Sequence, residues 1–232
     1  MRHVVAVSLF AVLSLHLHDA GCQSALPRIT VSGGKFVVSG TGKTFTPWGF
    51  GYDRDWEYRL LEDYWGDEWD KVEQDFDELR ALGANVVRIS LQYHRFMDGP
   101  SSPNEANLSR LKDLVTLAER RGIYLDIVGL GSFRPEDDAA WYVDLPEPQR
   151  WAAQAKFWET IAATLADRPG VFAFNLMNEP VVAGERRARG AWVDPYEIEG
   201  LHYVHFINLD LDGRDRADVA VAWVRQMKQA IR

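Results

Sequence analysis

The chain has 232 residues, 47% hydrophobic and 26% charged, enough for one large globular domain or two small ones. A formal net charge of −8 with no basic stripe argues against a nucleic-acid partner and is compatible with a neutral ligand. The only cysteine is Cys22, so a disulfide within one chain is excluded.

In chain order, the first residues read as an export signal. Met1-Arg2-His3 is a short positive start, Val4 to Leu17 is mostly apolar, and Ala20-Gly21 supplies small residues before Cys22. The apolar run is too short and interrupted for a good spanning helix. The predicted organisation is a signal over residues 1–22 and one domain over 23–232. Ala20-Gly21-Cys22 also resembles a bacterial lipoprotein cleavage site, although Asp19 stands where that pattern prefers leucine. The expected location is therefore secreted or cell-envelope, with contact to a membrane only through a lipid anchor at Cys22.

Ile29-Thr30-Val31 and Phe36-Val37-Val38 flank Gly33-Gly34, the signature of a small hairpin. After it a unit recurs of short apolar strand, loop and amphipathic helix. Strands are predicted near 45–51, 85–90, 123–128 and 171–176. Helices are predicted over 68–82, after Pro103 up to Gly122, over 148–166 and over 217–231. Val72, Phe76 and Leu79 share one face of the first helix; Trp151, Trp158 and Trp223 fall on the core stripes of the later ones. Alternating strands and helices predict an α/β fold with a parallel sheet, its strands apolar on both faces.

The strands recur about every 40 residues, so four units fit here and eight would need about 320 residues. That leaves half of a (β/α)8 barrel or a complete small doubly wound sheet. The second option lacks a site of its own: there is no G-x-G-x-x-G and no phosphate-binding Gly-Lys-Ser/Thr. The loops after the strands are long, especially 52–67, 129–147 and 181–215. Barrel enzymes build their sites from such loops.

The fourth strand ends in Asn178-Glu179-Pro180. A partly buried Glu at a strand's C-terminal end suits a general acid with a raised pKa. An adjacent Asn can hold a sugar 2-hydroxyl. The same tripeptide is also a good turn, with Pro fixing φ. Arg88, in the second strand, could support a catalytic carboxylate through its fork or form a rim ion pair with Asp126 or Glu179. Nine tryptophans suggest a carbohydrate cleft. Trp56 and Trp65 lie in the first loop, with Tyr58 and Tyr64; Trp141 and Tyr142 lie in the third; Trp192 and Tyr196 lie in the fourth. Each could stack on a sugar face or pack its loop onto the barrel. His94, just after the second strand, could line the same cleft. His202 and His205 are three apart without a Cys or carboxylate at a ligand spacing, so no metal site is predicted. No cofactor is expected.

These motifs resemble family 5 of the glycoside hydrolases, the cellulase and β-mannanase family within a clan of (β/α)8 barrels. The resemblance rests on Asn178-Glu179-Pro180 after the fourth strand, Arg88 in Asn85-Val86-Val87-Arg88-Ile89-Ser90, and Pro47-Trp48-Gly49-Phe50-Gly51-Tyr52 at the first strand. It implies the first four β/α units of a barrel, preceded by a hairpin and truncated before strand five. It implies a retaining glycosidase acting on β-linked polysaccharide or oligosaccharide, with Glu179 as acid/base. Asn178 would hold the 2-hydroxyl and Arg88 would support a nucleophilic Glu on a seventh strand. The chain alone is therefore expected to lack that nucleophile and to be inactive. Two positions depart from the family pattern: Gly51 stands where Asn is frequent, and Gly129 where a His often ends the third strand. The alternative is a non-catalytic carbohydrate-binding or surface protein derived from such a barrel.

Overall fold

The computed structural model describes residues 26–232; the predicted export signal and Cys22 lie outside them. The first element is an antiparallel hairpin, β1 (Ile29–Ser32) and β2 (Lys35–Val38). Its turn needs two residues at positive φ, and Gly33 (φ 57°) and Gly34 (φ 74°) supply them. Phe36 and the following Phe45 pack on Phe172 and Tyr124, so the hairpin covers the N-terminal end of the sheet.

Four strands form that sheet. They are β3 (Gly49–Gly51), β4 (Val86–Gln92), β7 (Tyr124–Gly131) and β8 (Val171–Asn175), in that spatial order and all parallel. β3 is shorter than the predicted 45–51. Pro47 has no N–H to give a ladder, and the Asn85 side chain takes the place of one. It accepts from Trp48 N at 2.8 Å and donates to Thr46 O at 2.9 Å.

Between strands run α1 (Leu61–Tyr64), α2 (Trp69–Ala81), α3 (Tyr93–Phe96), the small hairpin β5 (Met97–Gly99) and β6 (Ser102–Pro103), α4 (Glu105–Arg121), α5 (Ala140–Val143) and α6 (Glu147–Thr164). After β8 come a two-residue parallel pair, β9 (Pro180–Val181) and β10 (His205–Phe206), and finally α7 (Arg216–Ala230). The long helices begin and end where the sequence punctuates them. Asn104 caps α4 by accepting from Asn107 N, and Gly122 ends it in the left-handed region at φ 68°.

One face of the sheet is fully covered by helices. Val87, Ile89, Leu91, Leu125 and Ile127 are 0% exposed against Val72, Phe76, Leu114 and Ile161. The tryptophans at 158 and 223 lie in this core, as their helical spacing predicts. Gly129 points the same way: a Cβ there would sit 2.5 Å from Trp158 and 2.7 Å from Phe157. This position serves helix packing, and a larger side chain has no room. The opposite face carries Val86, Arg88 and Asp126, all half-buried.

Loops roof the C-terminal end of β4 and β7. Leu60, Phe133 and Leu201, from three different loops, form a small cluster with Tyr203. Beneath them lies Glu62, buried, accepting from Gln92 N at 2.8 Å through one oxygen while the other has no protein partner. Burial pushes its carboxyl up to about 7, against the opposing pull of the Gln92 amide, His94 and Arg95. An unfolded Glu titrates near 4.3. Between those values the folded chain holds a proton that the unfolded chain has released. Stability should therefore fall as pH rises through this window, by roughly 2–4 kcal/mol from this group. Glu62→Gln should lose that slope while keeping the Gln92 contact. Urea unfolding of both proteins at pH 5 and pH 8 measures it, and identical slopes would show that another group titrates.

Candidate functional site

The half-buried face of the sheet leads up to one polar constellation at the strand C-termini. Arg88, at the middle of β4, extends Nη2 to within 2.8 Å of Asn178 Oδ1. Its Nη1 lies 3.7 Å from Asp53 Oδ2. The Asn178 amide donates in turn to Tyr203 O at 2.8 Å. Asn178 is thus fixed on both sides of its amide, leaving one N–H and one lone pair of Oδ1 for a ligand. The sequence motif therefore forms more than a turn. Arg88 pairs with Asp53 and Asn178, and Asp126 sits beside it in strand register.

Burial pushes the Asp53 and Asp126 carboxyls up from the ordinary range. Arg88 opposes the shift at both, helped by Ser90 and Arg54 at Asp53 and by Asn175 at Asp126. The two acids and the guanidinium make a mixed-charge floor under Asn178.

Glu179 follows immediately, with φ at 42° in the left-handed region. A non-glycine residue pays a steric penalty there, and such strain collects at functional sites. Its side chain is exposed, so the partly buried setting expected for it is not formed by the described residues. The backbone around it is tied down: His205 N donates to Glu179 O at 3.2 Å, and Ile207 N to Val181 O at 3.0 Å.

The aromatic residues divide. Trp56 is 97% exposed on the first loop and free to meet a ligand. Tyr58 and Tyr196 are also exposed. Trp65 does not face a cleft: it is buried edge-on against Phe96, its indole N–H donating to Asn107 Oδ1 at 3.3 Å. Trp192 is buried as well, donating to Val143 O at 2.8 Å with the Arg150 guanidinium 4.5 Å from its ring. Trp141 packs half-buried on Tyr93 and Tyr142. These three fasten loops to the barrel, because an indole in a long loop buries more apolar area against the core than it can in water. His94 is turned inward, its Nδ1 3.7 Å from Asp138 Oδ1.

Sequence reasoning did not single out Tyr203 or His205 as parts of the site. Both come from the loop after β8, where main-chain carbonyls and a buried imidazole carry the contacts. The loops themselves meet across the site: Glu199 accepts from Arg54 and from Tyr58 OH, at 2.5 and 3.2 Å. Among the described residues no group of three or more His, Cys, Asp or Glu side chains is set to hold a metal ion, and no helix is long and apolar enough to cross a membrane.

Solved structures of similar fold include an exo-β-1,4-mannosidase from Opitutaceae bacterium strain TAV5, at TM-score 0.60 and 20% identity, covering 88% of this chain and 32% of that one. They also include a GH5_18 protein from Streptomyces cattleya in complex with GlcNAc, at TM-score 0.56 and 21% identity, covering 80% and 41%. A GH5_18 variant from the same organism, in complex with Manβ1-4GlcNAc, matches at TM-score 0.54 and 21% identity over 80% and 42%. The chain thus spans about a third to two fifths of the length of these structures. No curated protein matches it significantly. The family model for cellulase, glycosyl hydrolase family 5, matches residues 40–230. That match runs from the end of the hairpin through all four β/α units and the Asn178-Glu179 constellation, and the chain belongs to glycosyl hydrolase family 5.

Proposed function

We propose that this chain supplies the acid/base half of a retaining glycoside hydrolase acting on β-linked saccharides. The observation that carries the reading is the Arg88–Asn178 hydrogen bond, which plants the residue before Glu179 at the mouth of the sheet. Glu179 donates a proton to the leaving glycosidic oxygen and later takes one from water. Asn178 offers its remaining N–H and lone pair to the 2-hydroxyl. The nucleophilic carboxylate comes from the strand that the family resemblance numbers seventh, with Arg88 as its support. The structures of similar fold include a β-1,4-mannosidase and a complex with Manβ1-4GlcNAc, which makes β-mannosides the substrates to try first.

In a protein carrying the whole site, Glu179→Gln should lower turnover of an oligosaccharide with a poor leaving group by roughly 10²–10⁴. An activated aryl glycoside, which needs no proton, should lose far less. Equal losses on both substrates would make Glu179 a structural residue and favour the non-catalytic reading. Residues 23–232 alone should turn over neither substrate, because a retaining site needs two carboxyls about 5–5.5 Å apart. Turnover by them that Glu179→Gln abolishes would place both carboxyls in this chain.

Arg88→Lys tests the anchor. Lysine keeps the charge but not the planar fork that reaches Asp53 and Asn178 together. Turnover in the protein with the whole site should fall roughly 10–100-fold, as expected for a small displacement of reacting groups. Unchanged turnover in the Lys variant would remove Arg88 from the mechanism.

A further inference from the structure

His205 has no part in the proposed chemistry, yet it is bound to the site from two directions. It is 3% exposed in β10. Its Nδ1 lies 3.0 Å from Asn178 O and 3.0 Å from Tyr203 O. Carbonyl oxygens only accept, so Nδ1 carries the proton. Its Nε2 lies 3.1 Å from Ser132 N and accepts from that N–H, so Nε2 is bare. The partners therefore select one neutral tautomer. A proton on Nε2 would set one N–H against another.

The geometry has a direct consequence for Glu179. The Asn178 carbonyl belongs to the peptide plane on the N-terminal side of the Glu179 Cα. The Glu179 carbonyl belongs to the plane on its C-terminal side. The His205 imidazole holds the first, and the His205 backbone N–H holds the second at 3.2 Å. Two planes meeting at one Cα define its φ and ψ, and those define the direction of its Cα–Cβ bond. With φ at 42°, Glu179 occupies a conformation that a free glutamate avoids.

We propose that His205 is a positioning residue for Glu179: its Nδ1-protonated imidazole and its backbone amide together lock the left-handed conformation that aims the Glu179 carboxyl. Ser132, the first residue after β7, is the third point of the clamp. Its amide donates to His205 from across the site and its hydroxyl is bonded to Asp138 in its own loop, so the clamp joins the loops after β7 and β8. Burial pushes the imidazole down from its ordinary value, against the raising pull of the Asn178 and Tyr203 carbonyls and of Asp138. That shift favours the neutral form the geometry requires. The role in catalysis rests on the acid/base reading of Glu179; the lock itself does not.

NMR on the folded chain tests the lock without any turnover. In histidine-labelled protein at pH 7, long-range ¹H–¹⁵N correlations should show His205 protonated at Nδ1 and bare at Nε2. The HN–Hα coupling and Cα shift of Glu179 should report a left-handed residue. In His205→Ala both should move away from left-handed values. His205→Asn, whose amide N–H can stand where Nδ1–H stands, should restore them. His205→Gln, which reaches Ser132 but not Asn178, should not. If the Ala variant does not fold, the wild-type tautomer and the Asn–Gln contrast decide. An Nε2-protonated or charged His205 in the wild type would overturn the proposal, and so would unchanged Glu179 signals in the Ala or Gln variant. Failure of the glycosidase reading would leave all of these signals in place.

Discussion

Arg88 is the element on which the site depends. It leaves β4, passes the neighbouring strand β7 and meets Asn178 beyond the end of β8, so one side chain connects strands that are not adjacent. It is also the shared counter-charge for Asp53 and Asp126, both of which burial pushes toward the neutral form. Breaking a desolvated charge constellation by removing one member costs more than the constellation contributes as a whole, because the remaining charges are left uncompensated. The position of Asn178 and the ionisation of the floor beneath it therefore both depend on this guanidinium, alongside the Tyr203 carbonyl at Asn178 and Ser90 and Arg54 at Asp53. Lysine could not take its place: an ammonium is a point charge, and here two acceptors lie at different distances on different segments.

What surrounds this anchor is built to hold backbone. The first loop reaches Arg88 through Asp53, and the fourth loop meets the first through the Glu199–Arg54 ion pair. The fourth loop also holds Asn178 through the Tyr203 carbonyl. The pair β9 and β10 fixes the chain on either side of Pro180. These contacts offset the strain at Glu179, since a left-handed non-glycine residue persists only where its surroundings over-determine it. The same loops have a buried carboxyl beneath them at Glu62, which burial pushes up from the ordinary carboxylate range.

Much of this was legible in the sequence, for identifiable reasons. The four strands and four long helices announce themselves because helices repeat at 3.6 residues and buried parallel strands are continuously apolar. Glycines at 83 and 122 mark helix ends, and both adopt positive φ. The short elements α1, α3, α5 and the β9–β10 pair were not legible, because two to four residues carry no period. Loop aromatics were the least readable. Trp56 and Trp65 are nine residues apart in one loop, one almost wholly exposed and the other buried, and composition cannot tell them apart. His205 was invisible as a site residue because it acts through main-chain carbonyls, which have no signature in sequence. The glycine at 129 has a reason only in three dimensions, where Phe157 and Trp158 occupy the space a side chain would need.

The exposure of Glu179 bears on how the proposed chemistry would run. A general acid keeps its proton at neutral pH when it is withdrawn from water. Here the acids withdrawn from water are Asp53 and Asp126, below Asn178, while Glu179 stands above it in solvent. On the proposed reading, covering Glu179 therefore falls to the bound saccharide and to whatever else lines the cleft around it. A sugar ring laid over Asn178 displaces water from the same face on which the Glu179 carboxyl stands. The locked backbone gains its importance from this arrangement. A carboxyl that is not held by burial can be aimed only by its main chain, and its main chain is held by His205 and, through the Asn178 side chain, by Tyr203 and Arg88.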